Sequence, residues 1–136
     1  MPDRELVPGS SEGRLNRAKA DLALARAPLP EGALLEDLCF HGQQAVEKAI
    51  KAVYVHGSAR FRYTHDIAEL LSGLIQMGVS ISDDIREAAT LSDYARQRYP
   101  GPAEPVTEDE YRKAIQLADS VVAWAAQQIE MSGNQG

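Results

Sequence analysis

The sequence predicts an all-α fold, an up-and-down bundle of four main helices plus a shorter fifth. Three observations predict it. Apolar residues fill 44% of 136 positions but only 6% are aromatic, and Ala, Leu, Ile and Val carry most of that count. This mix favours packed helices over sheets, which draw on aromatic and β-branched side chains. Apolar positions also recur at three- and four-residue steps. Nothing alternates for long with the two-residue period of a strand, and Val79-Ser80-Ile81 is too brief to matter. The length suits one domain.

Residues 1–13 hold Pro2, Pro8, Gly9, Ser10, Ser11 and Gly13 without periodicity and read as a flexible N-terminal arm. The helical domain is expected over 14–131, and 132–136 reads as a flexible tail. The first helix is expected over 14–27, with Leu15, Ala18, Leu22 and Ala25 on one face and Pro28 and Pro30 ending it. The second and longest spans about 33–55. Its core stripe holds Leu38, Gly42, Ala45, Val46, Ala49 and Val53, and Gly57 is its stop. The third covers about 66–77, capped by Thr64 and stopped at Gly78. A fourth starts near Ser82, with Asp83 and Asp84 at the positive end of the helix dipole, and is expected to reach Tyr94 or Arg98. Pro100, Gly101, Pro102 and Pro105 then make a loop. Thr107 and Glu110 stand at capping-box spacing and open a fifth helix over about 107–130.

Fourteen Lys and Arg against twenty Asp and Glu give a formal net charge of −6. That excludes a general positive coat for nucleic acid or membrane, though not a local basic patch. One cysteine, Cys39, excludes an intrachain disulfide and a cysteine-built zinc site. No apolar run is long enough to span a bilayer and no signal peptide opens the chain, so the expectation is a cytoplasmic domain with no membrane partner.

The second helix carries the most chemistry. His41, Gln44 and Lys48 step by three and four residues, and so do Gln43, Glu47 and Lys51 beside them. One reading is a solvated face with Glu47 and Lys51 as a surface ion pair. The other is a polar seam against a partner subunit or ligand.

The string Cys39-Phe40-His41-x-Gln43-Gln44-Ala45-x-Glu47-Lys48-Ala49 resembles the HEPN domain, a helical nucleotide-binding domain. Leu15-Asn16-Arg17-Ala18-Lys19-x-Asp21-Leu22 is similar to its first helix, and Thr64-His65-Asp66-Ile67 to the opening of its third. Tyr94-Ala95-x-x-x-Arg98-Tyr99-Pro100-Gly101 is similar to the end of its fourth, the mark of a branch with an Arg-Tyr-Pro-Gly segment. The resemblance covers about 14–129. It implies a bundle, a homodimer, and pairing with a minimal nucleotidyltransferase, often as a toxin–antitoxin system. It also implies a site for a nucleotide or short RNA contact, with no other cofactor.

Many HEPN proteins are similar to metal-independent ribonucleases that carry an Arg followed, four to six residues on, by a His. His serves as acid or base near neutral pH, and Arg holds the phosphate. This sequence departs from the pattern: Arg96, Arg98 and Tyr99 stand at the matching place, and no His follows His65. An Arg-x4-His match at Arg60 and His65 lies in the loop before the third helix instead. As alternatives to catalysis, His65 packs or caps a helix start, and Arg60 and Arg62 are solvated. Arg98-Tyr99-Pro100 reads either as a helix end or as part of a cleft. In the cleft reading, Arg96 and Arg98 with Lys48, His41 and His65 bind phosphate, and Tyr94 or Tyr99 stacks on a base.

The leading expectation is therefore a nucleotide-binding, regulatory module using His41, Gln43, Gln44, Glu47, Lys48, His65, Arg96, Arg98 and Tyr99. A ribonuclease using Arg60 and His65 is the alternative, and a structural dimer without ligand is a third. The three histidines, His41, His56 and His65, do not stand at helical metal-ligand spacing, and Cys39 reads as a small core residue.

Overall fold

The computed structural model describes residues 10–61, 63–91 and 106–135, and every regular element among them is helical. Helix α1 is Ser11–Arg26. It starts before the expected position because the Ser10 hydroxyl accepts from the Gly13 N–H at 3.0 Å, so part of the supposed arm is the helix cap and first turn. Ala27, ahead of Pro28, is extended with ψ 151°, as the proline ring demands of its predecessor.

Helix α2, Leu35–His56, follows a turn with Gly32 at φ 86°. Gly57, the expected stop, keeps an ordinary φ of −84°. The left-handed residue is Ser58, at φ 58°, while the Ser58 and Ala59 N–H groups close on the Val55 and Tyr54 carbonyls, each at 2.9 Å. Helix α3 is Ile67–Gln76. Its cap is Asp66, whose carboxylate accepts from the Glu69 N–H, while Thr64 accepts one step earlier, from the Asp66 N–H at 3.0 Å. Gly78, at φ 93°, ends the helix as expected.

The fourth helix changes form within the described residues, and its expected end at Tyr94 or Arg98 lies outside them. Ser82 caps α4, Asp83–Arg86, and the chain then tightens into a 3-10 segment, Glu87–Leu91. The Thr90 hydroxyl donates to the Glu87 carbonyl at 2.9 Å, and the three-residue period puts buried Ala88 and Leu91 on one side. Helix α5, Glu108–Gln135, opens with the capping box in full: Glu110 N–H to the Thr107 hydroxyl at 3.1 Å, and Thr107 N–H to the Glu110 carboxylate at 2.9 Å. It runs past the expected end near 130, since adding turns to an existing helix costs far less than starting one. The expected tail is therefore mostly its last turn.

Helices α1, α2 and α5 pack on one another, and α3 packs on α2 and the 3-10 segment. Ala25 lies by Gly42 and accepts the Tyr111 hydroxyl, Asp21 meets Lys48, Arg26 meets Asp119, and Lys19 meets Glu130. These pairs advance in opposite senses, so α1 runs antiparallel to both α2 and α5. Gly42 lies against Ile115 and Ala118, so α2 and α5 are parallel, as in an up-and-down order. Small residues make the close approach: Ala18, Ala25, Ala45, Ala49, Ala118 and Ala125 are fully buried. Among the described residues no helix is long and apolar enough to cross a membrane.

Candidate functional site

Two acidic side chains sit between the helices, and each gathers a lysine and a histidine. Asp21 lies on the core face of α1, three residues from Ala18 and four from Ala25, and is buried. Its Oδ2 holds Lys48 Nζ at 2.5 Å and its Oδ1 lies 3.4 Å from His41 Nδ1. Both partners belong to α2 and keep about a third of their side chains in water. The apolar stems are covered and the polar ends reach the seam.

Glu47 is 2% exposed and Gln43, one turn earlier, is fully buried. Gln43 donates its amide to Glu47 Oε2, and Gln44 donates to Gln43 Oε1 at 3.5 Å. Glu47 Oε1 takes His65 Nδ1 at 2.8 Å from the loop and Lys51 Nζ at 3.8 Å from the next turn. Burial pushes the Glu47 carboxyl above its ordinary 4.5, and His65, then Lys51 and Lys48, pull against that. Burial likewise pushes the Lys51 ammonium down, with Glu47 opposing and Arg14 adding to it. When Glu47 is ionised it can only accept, so Nδ1 of His65 is then the donor. The His65 side chain is 80% exposed. No buried side-chain nitrogen or oxygen among the described residues lacks a partner.

The loop between α2 and α3 borders this seam. Phe61 stands edge-on to Tyr54 at 5.9 Å and to Tyr63 at 6.4 Å, with the Arg14 guanidinium 5.2 Å and the Lys51 ammonium 5.3 Å from its ring centre. Tyr63 is 84% exposed, and Arg60 is exposed as well.

Five of the expected site residues thus meet on α2, and His65 joins them from the loop. The solvated-face reading fails for Gln43 and Glu47: α2 is covered by α1, α3 and α5, which leaves little of its circumference for water. The Glu47–Lys51 pair is correspondingly inside the seam. Arg62, Tyr94, Arg96, Arg98 and Tyr99 lie outside the described residues, so their place in a cleft is an expectation only. Asp21 was not among the expected site residues, although an acid within an apolar stripe at three- and four-residue steps is a sequence signal. Cys39 is buried, and burial, then Glu36 and Glu110, push its thiol up to about 11, which keeps it protonated near neutral pH. Among the described residues no three His, Cys, Asp or Glu side chains converge as a metal site requires.

Residues 11–129 match the HEPN domain family, from the first residue of α1 to Ile129, a buried side chain of α5. The chain belongs to the HEPN domain family. Two solved structures are similar to this HEPN chain. TT1696 from Thermus thermophilus superposes with a TM-score of 0.74 at 30% identity, over 87% of this chain and 97% of its own. ST0689, an archaeal HEPN homologue, superposes with a TM-score of 0.69 at 28% identity, over 88% and 98%. No curated protein matches the chain significantly. Within the HEPN frame, the α1–α2 seam and the loop before α3 fall inside the matched span.

Proposed function

We propose that this HEPN domain is a nucleotide-binding regulatory module of the cytoplasm. In this reading it forms a homodimer and pairs with a minimal nucleotidyltransferase in a toxin–antitoxin-type system. The observation that carries the reading is the pair of clusters on α2. His41, Lys48 and His65 reach the solvent edge of the seam, and each is held by a buried carboxylate, Asp21 or Glu47. Donors fixed in advance lose little freedom when they engage a phosphate or a base edge. The sequence has no glycine-rich phosphate loop, so side chains would do the holding.

The second reading, a metal-independent ribonuclease, has its own support in the Glu47–His65 contact. A carboxylate that fixes an imidazole tautomer is the arrangement of a general base. Its weakness is Arg60, an exposed loop residue, and the absence of any later histidine in the sequence.

Calorimetry with ATP and other nucleotides, run beside a nuclease assay on purified protein, separates these readings. Saturable nucleotide binding without RNA cleavage is expected. Cleavage that disappears in both His65→Ala and Arg60→Ala would establish the ribonuclease. No binding at all, with a stable dimer, would leave a structural role. A monomer by light scattering at micromolar concentration would refute the dimer.

A further inference from the structure

The loop joining α2 to α3 carries an aromatic ladder that the seam does not use. Tyr54 is buried, Phe61 is half-buried, and Tyr63 is 84% exposed, each edge-on to the next. The ladder is held at both ends. The Ala59 N–H binds the Tyr54 carbonyl at 2.9 Å, and His65 binds buried Glu47 at 2.8 Å. Cations surround it: Arg14 and Lys51 lie over the Phe61 ring, and Arg60 and the imidazole of His65 are exposed on the same loop. Acids are close as well. Glu47 is buried beneath, while Asp66 and Glu69 stand at the start of α3, where Asp66 caps the Glu69 N–H.

We propose that this loop is a platform for an unpaired nucleobase. The exposed Tyr63 ring stacks on the base, and the exposed Arg60 guanidinium meets the attached phosphate or the base edge. Every base has a π-face, so an exposed ring takes it without regard to sequence, and neighbouring cations supply the match to phosphate. A protein partner is less well matched. The apolar surface offered is one ring, and the groups around it are charged. The platform adds Tyr63 and Arg60 to the seam of the preceding section and rests on the nucleotide-binding reading only where the ligand is a free nucleotide.

Two sources can present such a base, a mononucleotide or a single-stranded RNA, and the experiment has an arm for each. ATP is titrated calorimetrically, and a fluorescently labelled hexauridylate is followed by anisotropy, on the full chain and on Tyr63→Ala and Tyr63→Phe. Tyr63 is so exposed that neither change threatens folding, which circular dichroism confirms. Tyr63→Ala is expected to weaken binding about 5- to 150-fold, while Tyr63→Phe stays within about twofold. Tyr63-dependent binding of the oligonucleotide alone sustains the platform and assigns it to RNA. Equal affinity of Tyr63→Ala and wild type for a bound ligand overturns the platform and leaves nucleotide binding at the seam intact. Failure of the wild type to bind either probe overturns both.

Discussion

Glu47 occupies the interior with three partners, Gln43, His65 and Lys51, and its ionisation decides how they are arranged. Burial holds its carboxyl above the ordinary 4.5, so the folded chain binds that proton more tightly than the unfolded chain. Its contribution to stability is complete below 4.5 and is lost as pH rises through the elevated value. The stability of wild type minus that of Glu47→Gln should therefore fall as pH rises from 4 to 7. The fall is about 1.4 kcal/mol for every tenfold by which folding tightens the hold on that proton. Urea titrations at several pH values measure it, and a difference that grows with pH refutes it. Glu47→Ala should cost more, about 2–4 kcal/mol at neutral pH, because fully buried Gln43 and half-buried Lys51 both lose their acceptor. The residue types of this site were legible in the sequence, and so was their shared spacing on α2. Their burial was not. A helix wheel shows which residues share a face but not how many neighbours cover it, and α2 touches α1, α3 and α5.

At the scale of the element, local signals were read well and competing ones were not. Ser82 caps α4, and the Thr107–Glu110 box forms as its spacing requires, because donor and acceptor lie within one turn. Thr64 was the expected cap of α3, but Asp66 takes that place because it sits one residue before buried Ile67. The end of α2 shows the same limit, since Gly57 marked the stop but Ser58 takes the left-handed conformation. Ser58→Gly removes that strain, and it should raise stability by about 0.5 kcal/mol after allowance for the freer unfolded chain. Ser58→Ala should gain nothing, and urea midpoints compare the two. Gly73 on α3 is a tighter case. A Cβ there would meet the hydroxyl of buried Tyr54, which donates to the Leu70 carbonyl at 2.6 Å. Gly73→Ala is expected to cost about 1–3 kcal/mol, and distinctly less in a Tyr54→Phe background, where the obstructing oxygen is gone. A double-mutant cycle with no coupling would rule out the steric account.

For the whole molecule, the apolar count, the scarcity of aromatics and the helical period led directly to an all-α bundle and to the order of its helices. The mutual packing of α1, α2 and α5 was beyond them, since it depends on contacts such as Tyr111 to Ala25, which lie 86 positions apart. The charge of −6 also takes a sharper meaning, because acids such as Asp21 and Glu47 lie inside the bundle and position cations at its surface. The packing order has a kinetic consequence. Helices α1 and α2 are joined by a short turn and meet early at low entropic cost, whereas α5 must close a long stretch of chain to reach them. The hairpin is the natural nucleus and α5 the late arrival. In stopped-flow experiments Ala45→Gly on α2 should mainly slow folding, and Ala125→Gly on α5 should mainly speed unfolding. During synthesis the α1–α2 hairpin would thus wait with its Ala-lined face open until α5, the final helix of the core, leaves the ribosome.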